Sequence, residues 1–464
     1  MSSAPVHISH ATSTRASHPL LESMVRHLSE ALQFKTLSFE DPTACDAAAF
    51  QGMHGFLQLV YPKLHQTLRR EIVGEFSLLY TWEGSKPELE PVLLLAHLDV
   101  VPAEDEAGWK YGPFSGAIGD AAVWGRGAMD VKGPLVAMCE AVESLIESGF
   151  RPNRTVYLAF GQDEEVGGIH GAHRIGQLLS NRGVRPLFIS DEGGAITSGV
   201  VPGIRKPVAL VGIAEKGYLS LELKVEQPGG HASMPPDHTA IGILSQAIHR
   251  IEMNPFPARV AGVSRQMLRS LAPHMSGIGR LAAGRLGVFE PIVRRQLLRN
   301  PDTAAILRTT CAATMFNAGV KDNILPQEAS AILNVRTVPG DNSRTVISHV
   351  KTAINDPRVH VSVYGRFHSD PSPVAETDSA GFRCITGTIR QILPEAAITP
   401  FVVLGGTDSR HYTRLTPNVF RFSAMELKPE DLRTIHGNNE HLTYRNCELL
   451  MNFFSRLIEN ADAT

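Results

Sequence analysis

The stretch Pro91-Val-Leu-Leu-Leu-Ala-His97-Leu-Asp99-Val-Val-Pro102 is a short apolar run ending in an imidazole and a carboxylate two positions apart. On a strand, residues i and i+2 share a face. His97 and Asp99 therefore stand side by side at the strand's carboxyl end, where open α/β sheets place their ligands. An apolar strand needs neither group for stability. Taken alone, the pair reads more readily as a core histidine beside a turn aspartate, so the rest of the chain has to decide.

The same grammar recurs downstream. Thr155-Val-Tyr-Leu-Ala-Phe160 is a second apolar strand, ending in Asp163-Glu164-Glu165-Val-Gly-Gly168. Leu187-Phe-Ile-Ser-Asp191-Glu192-Gly-Gly194 is a third. Between the first two, Val131, Leu135, Met138, Val142 and Leu145 step by four and three, which predicts a helix with Asp130 at its N-terminus. Strands alternating with helices argue for a mostly parallel sheet covered by helices, and tips on neighbouring strands converge on one crevice. Residues 20–32 and 56–64 have helical spacing, and Ile72 to Trp82 is strand-like.

From about Pro207 the pattern becomes α+β. Val208–Ile213 and Leu219–Val225 read as strands, 239–251 as an amphipathic helix, 310–318 and 329–337 as strands, 343–354 as a helix and 358–363 as a strand. An α/β pattern then returns, with a helix near 379–392, a strand at Phe401–Leu404 and a closing helix from about 442. The expected organisation is a catalytic domain in two parts, 1–210 and 371–464, with a lid domain, 211–370, inserted between them. Within the lid, residues 257–308 hold nine arginines, no lysine and two acids, about +7 in a chain whose net charge is -3. They read as extra helices with a solvated face, as a cap over an apolar substrate, or as a membrane-surface contact.

At 464 residues with 43% hydrophobic and 20% charged content, the chain has the composition of an ordinary globular protein of two or three domains. Its net charge of -3 gives no overall electrostatic reason to expect nucleic acid or an anionic membrane as a partner. The five scattered cysteines indicate neither a disulfide framework nor a thiolate metal site. Residues Met1–His10 lack the apolar core of a secretory signal, and no run is long enough to span a bilayer. The expected compartment is the cytoplasm, with a small-molecule substrate, no stable membrane insertion, and a monomer or homodimer.

His97, Asp130, Glu165, Asp191 and a late histidine are the nitrogen and oxygen ligands zinc accepts. Five protein ligands, one a bridging carboxylate, are too many for one tetrahedral ion and suit two. Such a pair can polarise a carbonyl and hold a hydroxide, and an unligated carboxylate is then needed to move the proton. Glu164 fits that task because adjacent side chains diverge, and Asp99 is placed to fix the His97 ring.

His97-Leu-Asp99-Val-Val-Pro, Gly125-Arg-Gly-Ala-Met-Asp130-Val-Lys-Gly, Asp163-Glu164-Glu165-Val-Gly-Gly, Ser190-Asp191-Glu-Gly-Gly, Gly230-His231-Ala-Ser-x-Pro, Gly405-Gly-Thr-Asp408-Ser-Arg410 and Ile435-His436-Gly-x-Asn-Glu440 occur in this order. With them, from about residue 25 to 462, the chain resembles the di-zinc aminoacylase/carboxypeptidase metallopeptidases, and among these carboxypeptidase S and the N-fatty-acyl-amino-acid synthase/hydrolases. The resemblance implies a zinc-exopeptidase-like catalytic domain with a ferredoxin-like lid. It also implies two zinc ions, replaceable by cobalt or manganese, with His97 and Asp191 ending one site, Glu165 and His436 the other, and Asp130 bridging. Glu164 would be the general acid/base, Asp99 the orienter of His97, and His231 an oxyanion stabiliser. Asn323 and Arg336 would hold the substrate carboxylate, and Gly406 and Thr407 would line the substrate site. Val131 stands where the family often has a second acid, which leaves the bridge in place.

The implied reaction is hydrolysis of N-acyl amino acids, reversible and extending to fatty-acyl groups. A carboxypeptidase acting on short peptides uses the same residues and stays open. So does a catalytically inactive binding protein on the same scaffold, although no ligand or base is missing.

Overall fold

The apolar runs Val92–His97, Val156–Gly161 and Phe188–Asp191 are strands, as their composition predicts. In the computed structural model, residues 17–103, 106–201 and 203–464 are described, and the Met1–His10 reading falls outside them. The chain divides into one unit of Met1–Leu178 with Ala424–Thr464 and another of Leu179–Ser423.

In the first unit, the strands run Arg69–Val73, Ser77–Trp82, Val156–Gly161, Val92–His97 across the sheet. Gly74, at φ +73°, breaks the strand-like span after Ile72 into a hairpin with Val73 opposite Ser77. Val92–His97 and Val156–Gly161 are parallel, and His97 sits opposite Gly161. The His97 tip and the acidic segment after Gly161 therefore leave the sheet at the same end. Helix Lys132–Glu147 packs against Val92–His97, Ser17–Ala31 and Tyr444–Ala463 and is buried along most of its length. A small sheet pairs Ala122–Trp124 with His441–Thr443, Trp124 opposite His441, and so ties the chain just after His436 to the chain just before Asp130.

In the second unit, Phe188–Asp191 is parallel to Val419–Arg421, and Val208–Glu215 is parallel to Ala397–Val403. A separate antiparallel sheet has the order Thr310–Ala318, Glu328–Thr337, Gly217–Glu226, Val359–Ser369. Leu219, Leu221, Leu223 and Val225 face Ile243, Leu244, Ala247, Val346 and Val350 of helices Ala240–Met253 and Ser343–Ile354. This strand–helix–strand–strand–helix–strand path is the ferredoxin-like arrangement. The two strands read from 208 to 225 thus lie in different sheets, and the chain crosses between them at Lys216. Burial brings the Lys216 ammonium down to about 8, and its Nζ donates to the carbonyls of Ala305 (3.0 Å) and Arg308 (3.2 Å).

Residues 257–308 form helices, in line with their reading as extra helices, and they are not uniformly solvated. Met267 and Leu271 of helix Gly262–Leu271 pack with Val208, Ala397 and Phe401, and Ser270 Oγ lies 2.6 Å from Thr399 Oγ1. Val260, Leu268, Leu286 and Leu307 make a small core of their own. Among the described residues no helix is long and apolar enough to cross a membrane.

Candidate metal centre

Asp130 lies just before helix Lys132–Glu147, whose N-cap is Val131 and has no side-chain cap bond. The Asp130 carboxylate is turned to two histidines instead of the helix end. His97 Nε2 is 3.2 Å from Oδ1, and His436 Nε2 is 3.0 Å from Oδ2. His436 Nε2 is also 3.2 Å from Glu165 Oε2. Burial alone would raise the Asp130 carboxyl, but hydrogen bonds from His436 and His97 hold it well below the usual range. Hydrogen bonds to Asp130 and then Glu165 push the His436 imidazole up to about 10. Burial raises the Glu165 carboxyl.

Donor atoms of Asp130, Glu165 and His436 lie within 4.8 Å of one another. Glu165 Oε1 is buried and has no hydrogen-bond partner. A buried carboxylate oxygen with an unused lone pair, beside a second carboxylate and an imidazole, fits a divalent cation. The donor set therefore suits a hard or borderline metal.

The acidic segment after Gly161 divides its work. Asp163 accepts from the N–H groups of His170 (2.7 Å) and Gly171 (2.8 Å), closing the loop. A Cβ on Gly171 would meet Asp163 Oδ1 at 2.7 Å, so only glycine allows this closure. Asp99, fully buried, does more than orient His97. The imidazole Nδ1 is 2.9 Å from the Asp99 carbonyl and 3.4 Å from its carboxylate. That carboxylate accepts from Ser38 Oγ (2.6 Å) and from the N–H groups of Glu164 (3.1 Å) and Glu165 (3.2 Å). One side chain thus holds the His97 strand tip and the Glu164–Glu165 turn in register.

Glu440 ends the motif Ile435-His436-Gly-x-Asn-Glu440, whose pattern alone gives it no role. It has no exposed surface, and its carboxylate accepts from Arg126 Nη1 (2.7 Å) and the N–H groups of Gly127 (3.1 Å), Met129 (2.8 Å) and Asp130 (3.1 Å). It fastens the loop bearing Asp130 to the segment bearing His436. Glu440→Gln sets an amide donor against those N–H groups and leaves Arg126 buried without its counter-ion. We expect a stability loss of about 3 kcal/mol and metal affinity weakened about 10–100-fold, read by urea unfolding and metal titration. Unchanged affinity would limit Glu440 to folding.

The remaining sequence-predicted residues lie in the second unit. Asp191 is buried, which raises its carboxyl, and its Oδ2 accepts from Ser409 N at 2.8 Å. Ser409 Oγ and Thr407 Oγ1 bond Glu215, which pairs with the buried Arg421 at 3.2 Å. The Thr407 hydroxyl is thus engaged with Glu215. A Cβ on Gly406 would lie 2.6 Å from the tip of the Arg410 guanidinium, so this glycine and Arg410 are close neighbours.

Gly230–His231 pairs with Ile324–Leu325, and Ala232 N donates to Asn323 O at 3.1 Å. This brings His231 and Asn323, 92 positions apart, onto neighbouring exposed loops. His231 Nδ1 faces Ser233 Oγ at 2.7 Å. Arg336 stacks its guanidinium over Tyr218 at 4.6 Å, and Arg410 stacks over Phe367 at 5.0 Å. Burial, with Arg410 nearby, lowers the Arg336 guanidinium, and among the described residues no carboxylate pairs with Arg336.

Two carboxylates and two histidines, beside a further glutamate, make a cluster whose donor atoms could hold a metal ion. The sequence profile of peptidase family M20/M25/M40 matches residues 93–460, and the chain belongs to that family. It is 41% identical over 443 residues to "Probable carboxypeptidase S-like 2" of Dictyostelium discoideum, covering 95% of this chain and 85% of that protein. It is 39% identical over 446 residues to the human N-fatty-acyl-amino acid synthase/hydrolase PM20D1, covering 95% and 88%. The fold matches that of the M20 family metallo-carboxypeptidase Sso-CP2 from Sulfolobus solfataricus with a TM-score of 0.68 at 16% identity, covering 95% and 99%. The protein is thus an enzyme of the M20 metallopeptidase/amidohydrolase type.

Proposed function

We propose that this enzyme hydrolyses the amide bond of N-acyl amino acids, including N-fatty-acyl ones, to a carboxylate and a free amino acid. The observation that carries this reading is the 39% identity, across 95% of the chain, to a protein named an N-fatty-acyl-amino acid synthase/hydrolase. His97, Asp130, Glu165, Asp191 and His436 would hold two zinc ions, with cobalt or manganese able to substitute. Asp191 enters this set on its motif position alone. When bound, the metal would polarise the amide carbonyl and acidify a water.

The chain's own residues do the rest. Glu164 takes the water's proton and hands it to the amide nitrogen as the C–N bond breaks. Asp99 keeps Glu164 and Glu165 in place through their backbone N–H groups. His231 donates to the developing oxyanion. Arg336, with Asn323, holds the substrate carboxylate; the ring beneath its guanidinium leaves the planar edge to accept a two-point partner. Arg410, next to Gly406, adds positive charge there. The five cysteines are free, which suits the reducing cytoplasm.

The test is kcat/KM across N-acyl amino acids from acetyl to long-chain acyl. Each buried methylene is worth about 0.8 kcal/mol, so long-chain substrates should lead by tenfold or more. With excess fatty acid and amino acid the same enzyme should form the condensation product. A flat profile, or preference for acetyl, would overturn the fatty-acyl assignment. The 41% identity to a carboxypeptidase S-like protein supports a second reading, cleavage of short peptides with a free C-terminus, and blocked dipeptides in the same panel separate the two. An inactive binding protein is not favoured, since Glu164 and every metal-ligand position are retained.

A further inference from the structure

We propose that the outer face of helix Leu286–Leu297, with the helix Gly277–Gly284 before it, docks on an anionic phospholipid bilayer. The helix has two faces. Leu286, Val293 and Leu297 turn inward to Val260, Leu268 and Leu307. On the other side Val288 is 75% and Ile292 65% exposed, and Leu281 of the preceding helix is 48% exposed. Arg285, Val288, Ile292, Arg295 and Arg299 are all exposed and step by three and four along the chain. They form one stripe with an apolar centre and cationic ends.

Its charge is uncompensated. Within 257–308 the acids are Glu290 and Asp302 against nine arginines. Glu290 is occupied by Arg294 at 3.2 Å. Among the described residues Arg280, Arg285 and Arg295 make no ion pair. Apolar side chains that enter the headgroup layer, flanked by guanidinium groups that reach phosphates, are the chemistry of an interfacial helix. A nucleic acid would not reward the exposed aliphatics. A second copy would bring like-charged arginines together. The rest of this segment is built into the unit through Met267, Leu271 and Ser270, so the helix would dock as a rigid face.

The experiment is flotation of the full-length, metal-loaded enzyme with vesicles of pure phosphatidylcholine or of phosphatidylcholine with 30 mol% phosphatidylglycerol. We expect at least tenfold stronger binding to the anionic vesicles, weakened by 0.5 M salt. It should drop at least tenfold in the double variant Val288→Asp/Ile292→Asp and in Arg285→Glu/Arg295→Glu. All four positions are exposed, so melting temperature and turnover of a soluble short-chain substrate should be unchanged in both variants. That turnover assay also separates failure of this surface from failure of the hydrolase assignment. Absence of flotation, equal flotation with both vesicle types, or flotation unaffected by the substitutions would overturn the proposal. So would a dimer in light scattering that the same substitutions dissociate.

Discussion

Glu164→Gln should lower turnover by about a hundredfold or more, the usual scale for removing a general acid/base, while metal content stays at the wild-type level. The amide keeps the size of the carboxylate, and the Glu164 backbone N–H still reaches Asp99 Oδ1 at 3.1 Å, so the turn is preserved. What disappears is a group that can accept a proton and return it. Its neighbour should behave differently, because the Glu165 carboxylate faces His436 at 3.2 Å and carries the unpartnered Oε1. Glu165→Gln should lose metal along with activity. The measurement pairs kcat with elemental analysis of the dialysed protein. If both variants lost metal equally, the division between proton carrier and ligand would fail.

Metal removal should have the second large effect. Chelation should abolish activity, and zinc, cobalt or manganese should restore it, because the donors are nitrogen and oxygen. Asp130→Asn should reproduce the loss, since the Asp130 carboxylate faces both His97 and His436. A ligand held only by the folded state adds about 2.7 kcal/mol of stability when free metal is 100-fold above its dissociation constant, so the melting temperature should fall on chelation.

The pH dependence has a definite sign. The His436 imidazole, raised to about 10 by Asp130 and Glu165, must lose its proton to ligate. Metal affinity should therefore weaken as pH falls, with proton release on binding measurable by calorimetry in buffers of different ionisation enthalpy. Full turnover in metal-free protein would sink the metal assignment.

How much of this was readable beforehand depended on the range of the interaction involved. The helix after Asp130 was legible because Leu135, Met138 and Val142 repeat at its own period, and the strands because Val92–His97 and Val156–Gly161 are continuous apolar runs. The hairpin inside 69–82 was not, since a single Gly74 interrupts an otherwise strand-like composition. The 257–308 segment showed an arginine-rich, aliphatic composition but neither its individual helices nor their placement. Packing of Met267 on Ala397 joins residues 130 positions apart.

By itself the sequence determined the residue types of the centre, their order, and their positions at strand ends, because period and composition are local properties. The division of Glu165 from Glu164 was already implied by the resemblance, but only the tertiary structure showed Asp163 closing a loop. It alone showed Asp99 holding two backbone N–H groups, and Glu440 accepting from the Asp130 loop 310 positions away. The physical reason is that a buried carboxylate must find donors wherever the fold brings them. Most of those donors are backbone N–H groups, which every residue but proline carries and no sequence pattern marks.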